Sequence, residues 1–67
     1  MATTKVIELI GSSKTSWEDA AQNALSDAIK TVSGIKGLDA VGFTAKVEGN
    51  KIIEFHTNVK VAFVVKD

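Results

Sequence analysis

The sequence predicts an α+β fold: a three-stranded antiparallel sheet with one helix packed on one face, in the order β-α-β-β, as a single domain over residues 1–67. Three observations predict it. A short β-branched run, Lys5-Val-Ile-Glu-Leu-Ile10, ends at Gly11; apolar residues then recur every three or four positions from Trp17 to Val32; and two alternating stretches follow, separated by Gly49-Asn50.

The first strand is read as residues 5–10, with Gly11 opening a turn. The helix follows. Trp17, Ala20, Ala21, Ala24, Leu25, Ala28, Ile29 and Val32 form its apolar stripe, and Glu18, Asp19, Gln22, Asn23, Ser26, Asp27 and Lys30 its polar side. A stripe so rich in alanine allows close approach to a sheet. At the helix start, two overlapping capping boxes are available, Thr15 with Glu18 or Ser16 with Asp19. Gly34 and Gly37 then stop the helix.

The second half alternates with period two. Val41, Phe43, Ala45 and Val47 are apolar against Gly42, Thr44, Lys46 and Glu48. Ile53, Phe55, Thr57, Val59, Val61, Phe63 and Val65 set a second alternation against Glu54, His56, Asn58 and Lys60. Gly49-Asn50 marks a hairpin. A plain two-residue loop would set Phe43 opposite His56 and mix the two faces, so either a three-residue loop or a bulge near Lys51 must restore the odd-to-odd register. The other sheet face then carries Glu8, Thr44, Lys46, Glu54, His56, Asn58 and Lys60, interrupted by Val6, Ile10 and Ile52. It is mixed enough to be an assembly surface.

Size and composition bound the function. A chain of 67 residues buries only about 60% of its unfolded surface and needs outside support. Cysteine is absent and there is one histidine, which argues against disulfides and a zinc core and leaves self-association as the expected support. Eight lysines balance eight acidic residues without a basic stripe, so nucleic-acid binding is not expected. There is no arginine to hold phosphates or carboxylates bidentately. The apolar run of MATTKVIELIG is too short for a signal or a membrane span, and the chain is read as cytoplasmic.

Candidate chemistry is sparse. Lys14-Thr15 lacks the glycines of a phosphate-binding loop, and Glu18 and Asp19 already occupy the positive end of the helix. Ser12, Ser13 and Ser16 read as turn and cap residues. No nucleophile–base pair or carboxylate dyad points to an enzyme. Glu54 and His56 share a strand face with Glu8 or Glu48 in reach, but one histidine beside carboxylates is read as an interface hydrogen-bonder rather than a metal site. Trp17, on the buried stripe, is read as an anchor of the helix on the sheet.

The segment KVIELIGSSKTSWEDAAQNAL at residues 5–25 resembles the N-terminal signature of the dodecins, small flavin-binding proteins, and NKIIEFHTNVKVAF at residues 50–63 resembles their last strand. The resemblance spans nearly the whole chain. It implies a hollow homo-oligomer of twelve subunits with helices outside, flavins (riboflavin, FMN or FAD) held in pairs between subunits, and a storage or buffering role without catalysis.

Residue by residue, the resemblance is incomplete at the ligand. Where flavin-holding dodecins place a stacking Trp, an ungapped alignment puts Gly37, and where a Gln of the last strand bonds the flavin's polar edge, His56 stands. Two positions that carry phosphate-binding arginines in family members hold Thr44 and Val64. The family's Trp in the shared helix start, which is not used for flavin, corresponds to Trp17. The resemblance therefore implies weak or altered flavin binding, the pocket at Gly37 either staying wet or being filled by neighbours such as Leu38 or Phe43. The place of Gly37 at the helix end leads to the expectation of a left-handed conformation there. The alternative the resemblance implies is a flavin-free structural shell, or one that holds ions such as calcium.

Overall fold

The structure, a computed structural model, describes residues 3–65. Strand β1 (Thr3–Ser13) leads into helix α1 (Trp17–Ile29), and β2 (Ile35–Glu48) and β3 (Lys51–Val65) form a long hairpin. The strands make one antiparallel sheet in the order β1-β3-β2, with β3 in the middle. The β-α-β-β order and the single helix on one face agree with the sequence reading. The element bounds differ from it: β1 starts at Thr3 rather than Lys5, α1 ends at Ile29 rather than Val32, and β3 starts at Lys51 rather than Ile53. β1 runs through Gly11 to Ser13, and β2 begins at Ile35 rather than Val41.

Gly11 is a strand residue because the helix lies directly over it. A Cβ there would sit 1.9 Å from the carbonyl oxygen of Ala20 and 2.9 Å from Ala24 Cβ, so only hydrogen lets β1 and α1 approach this closely. The helix side of the contact is the alanine stripe: Ala20, Ala24 and Ala28 are buried. Ala24 and Ala28 pack with Val59 and Val61 of β3, and Ile7, Leu9, Ala21, Val32 and Ile35 close around them. Val32 belongs to this core although it lies beyond the helix end.

The helix start uses Ser16 as its N-cap, but the reciprocal half of a capping box is not made: the Ser16 N–H donates to Ser13 Oγ at 3.4 Å. Ser16 Oγ accepts the Asp19 amide N–H at 2.9 Å, while the Asp19 carboxylate accepts from Ser13 Oγ at 2.7 Å. Ser13 Oγ in turn accepts the Thr15 N–H at 2.9 Å, so a β1 side chain orders the turn. The helix ends before either glycine, at Ile29 with Lys30 as its cap, and the N–H groups of Thr31 and Val32 donate to Ala28 O; Gly34, with φ +76°, turns the link into β2. Gly37 is not in the left-handed region, which corrects the expectation above; the residue that needs left-handed freedom is three positions earlier.

The hairpin turn is the two residues Gly49 and Asn50, with φ of 57° and 63°, the pair of positive angles of a type I′ turn. The faces are kept in phase by a bulge instead of a longer loop: Lys46 pairs with Glu54 but Val47 with Ile52, leaving Ile53 as the extra residue. Phe43 therefore opposes Thr57, odd to odd, as the pattern requires. Two further shifts lie between Ile35 and Gly37 and between Ala40 and Gly42. These had no counterpart in the sequence reading.

The described chain measures 52 × 19 × 13 Å. A 13-residue helix is only about 20 Å long, so it covers part of a sheet whose central strand spans about 50 Å. Val6, Ile10, Phe43, Val47 and Ile52 are each more than half exposed.

Candidate functional site

The candidate site is built on the sheet face opposite the helix. Along β3 this open face carries Glu54, His56, Asn58, Lys60, Ala62 and Val64, whose even positions alternate with the core residues Thr57, Val59 and Val61. β1 contributes Val6, Glu8, Ile10 and Ser12 opposite Ala62, Lys60, Asn58 and His56.

On β2 the bulge at Val41 decides which residues join this face. Beyond it, Gly42, Thr44 and Lys46 oppose Asn58, His56 and Glu54; before it, the odd residues Gly37 and Asp39 oppose Ala62 and Lys60. Strict alternation would send Gly37 to the same side as Phe43, beneath the helix. The extra residue turns it to the open face instead.

At Gly37 the face forms a shallow groove of about 360 Å³, lined by Val6, Gly37, Leu38, Asp39, Lys60 and Ala62. A Cβ built on Gly37 meets nothing within 4 Å. Leu38 borders the groove without filling the space over Gly37, and Phe43 does not enter it. That ring lies against Trp17 on the other side of the sheet, with centroids 6.3 Å apart in an edge-to-face arrangement. Phe55 is 4.8 Å from Trp17 in the same cluster. The groove floor is aliphatic, and no aromatic ring lines it.

His56 lies further along the same face, opposite Ser12 and Thr44. Its Nε2 is 2.7 Å from Glu54 Oε2. An ionised carboxylate only accepts, so Nε2 carries the proton in this contact. The hydrogen bond from His56 holds the Glu54 carboxyl below its ordinary value; burial works against this, and the nearby charges of His56, Lys46 and Lys14 assist it. Both side chains are about one-third exposed. Two residues on, Asn58 Oδ1 is buried without a hydrogen-bond donor.

Gly37 and His56 are on one face but not in one place. Their ladder positions on β3, 62 and 56, are about 20 Å apart along the strand. A single copy does not bring the two family-aligned positions together. Val64 and Thr44 lie on this face near the two ends of the same span, opposite Thr4 and His56 respectively.

Trp17 sits at the opposite side as a tie between elements. Its Nε1–H donates to Thr44 O at 2.8 Å, and its own carbonyl accepts from Thr57 Oγ1 at 2.8 Å. The indole remains 36% exposed, more than a fully shielded anchor would be. Because α1 covers mainly β1 and β3, the residue at its N-terminus is left at the margin of the core.

A family model described as Dodecin matches residues 3–66. The chain belongs to the dodecin family. Dodecins are small-molecule-binding proteins. The chain is similar to the tt0972 protein of Thermus thermophilus, at 24% identity and a TM-score of 0.95 over 100% of this chain and 98% of that one. It is likewise similar to dodecin from Streptomyces davaonensis, with 20% identity and a TM-score of 0.93 over 98% of this chain and 97% of that one. Calcium dodecin of Mycobacterium tuberculosis, a calcium-chelating antigen, is 31% identical with a TM-score of 0.83 over 96% of this chain and 91% of that one. No curated protein sequence matches this dodecin.

Among the described residues, no helix is long and apolar enough to cross a membrane. Nor do three His, Cys, Asp or Glu side chains of one copy converge as metal ligands among them. The sequence reading singled out Gly37 and His56 but missed the groove walls. Asp39, Lys60, Val6 and Ala62 carry no motif, and only the register across the Val41 bulge gathers them. Glu54 was noted on the same face as His56; its direct hold on the imidazole was not foreseen.

Proposed function

We propose that this dodecin is a cytoplasmic small-molecule binding or storage protein, without catalysis, whose copies close into a hollow shell of twelve. Ligands are held between subunits, with the groove at Gly37 from one copy and His56 from another facing them. The 20 Å separation of these residues within one chain supports a site completed across an interface. So does the apolar area a lone copy leaves bare at Val6, Ile10 and Ile52.

Flavin is bound weakly at this site. The observation that carries this reading is the empty space over Gly37, where no side chain comes within 4 Å of a built Cβ and no aromatic ring lines the groove. A stacked aromatic pair is worth about 0.5–1.5 kcal/mol beyond its area, and the ring face needed for it is missing. The residues present therefore do not fit a tightly sandwiched isoalloxazine. They do offer an aliphatic floor with one acid and one base, Asp39 and Lys60, at its edge.

Native mass spectrometry of the purified protein tests both parts together. Twelve copies with little retained flavin, and a nearly colourless preparation, is the expected outcome. A stable monomer, or a shell saturated with flavin, overturns the reading.

The 31% identity to calcium dodecin supports a second reading, a flavin-free shell that holds calcium. Since no three ligand-type side chains converge among the described residues of one copy, such an ion would be shared between copies. Calcium content after dialysis against a chelator, followed by calcium titration, separates the two readings.

A further inference from the structure

Glu54 and His56 neighbour each other on one strand face, and the imidazole makes no other hydrogen bond among the described residues. We propose that Glu54 is a positioning residue that locks His56 as its Nε2–H tautomer, so that the neutral ring offers a ligand only the Nδ1 lone pair. The ligand edge that meets His56 must then supply an N–H or O–H, as the imide edge of a flavin does. This rests on the reading that His56 faces the ligand.

The chemistry follows from the donor inventory. A glutamine at this position offers a donor and an acceptor at once. A neutral imidazole offers one of each, on opposite sides of the ring, and here the donor is already consumed by the Glu54 carboxylate at 2.7 Å. What remains is a lone acceptor. When the ring takes a second proton, Nδ1 becomes a donor and the preference reverses. An imide N–H is then turned away, and a carbonyl or anionic edge is favoured.

The surroundings do not override this. Across from His56 stand the uncharged Ser12 of β1 and Thr44 of β2, and Asn58 follows on β3. The charged groups near the pair are Lys46 of β2 and Lys14 of the β1–α1 turn, both of which favour the ionised form of Glu54 and thus its role as acceptor. Helix α1, with Glu18 and Asp19 in its first turn, packs on the other side of the sheet.

His56 is the chain's only histidine, so selective nitrogen-15 labelling reports it alone. At about pH 8, above the range in which imidazoles titrate, the intact protein should show a protonated Nε2 and an unprotonated Nδ1. Glu54→Gln, whose amide can donate or accept, should give a mixture of tautomers. Titration with riboflavin at this pH should shift Nδ1. An analogue methylated at the imide nitrogen should bind on the order of tenfold less tightly, the worth of one hydrogen bond.

A tautomer mixture in the unmodified protein overturns the lock and leaves the site reading standing. Equal affinity for the two flavins at about pH 8, with His56 responding to both, overturns the ligand polarity. If both flavins shift the Gly37 amide but neither shifts His56, the site reading itself has failed, and the inference falls with it.

Discussion

The indole Nε1–H of Trp17 donates to the main-chain carbonyl of Thr44 at 2.8 Å, joining the first turn of α1 to the strand that the helix covers least. That bond, the Thr57 Oγ1 contact to Trp17 O and the edge-on packing with Phe55 make this residue a fastener between three elements.

Trp17→Ala should therefore destabilise the fold by about 3 kcal/mol, the low end for truncating a large aromatic because about a third of the ring is already exposed. Trp17→Phe, which keeps a ring and removes the donor, should cost about 1 kcal/mol. Urea unfolding at one fixed protomer concentration measures both. A variant of either kind that unfolds like the parent protein refutes the anchor.

Two glycines should respond oppositely to the same methyl group. Gly11→Ala drives a Cβ into the Ala20 carbonyl at 1.9 Å, where backbone must move, and should cost about 1–3 kcal/mol or more. Gly37→Ala places its Cβ in open space and should change stability by less than about 0.5 kcal/mol. Thermal unfolding of the pair, side by side, is the check.

Gly37→Trp should fold and assemble normally, since its backbone is outside the left-handed region and its side chain would enter an open groove. With a ring face restored, riboflavin affinity should rise by about tenfold or more. Adding His56→Gln supplies a donor and an acceptor together, and the two substitutions should act non-additively on one ligand. Flavin fluorescence titration decides. An intact double variant with unchanged affinity shows that these positions do not face flavin.

The Glu54–His56 contact should make stability depend on pH in the acid range. The folded Glu54 carboxyl is held below its ordinary value, so its stabilising contribution is present above the unfolded carboxyl's pKa and is lost as pH falls through the folded one. Glu54→Gln should accordingly be less stable than the parent near neutrality, and the gap should close on acidification. Denaturant midpoints measured from about pH 7 down to about pH 3, below the carboxylate range, test the sign. A gap that widens in acid contradicts it.

Local patterns in the sequence determined the element types, their order and which alternating residues share a face. Alanine every fourth position specified a helix that can lie close, and period-two alternation on either side of Gly49-Asn50 specified the hairpin. The mismatch between Phe43 and His56 even demanded a correction of register, and the Ile53 bulge supplies it. Tertiary packing decided the rest. Gly11 reads locally as a turn glycine, and only the carbonyl of Ala20 above it explains why it is a strand residue without a side chain. Gly37 reads locally as a helix stop, yet the bulge at Val41, which answers to pairing with β3 and not to any local preference, turns it onto the open face beside Ala62. Periodicity reports which side a residue takes relative to its chain neighbours. A single unpaired residue shifts that phase, and its place is fixed by the partner strand, which is remote in sequence.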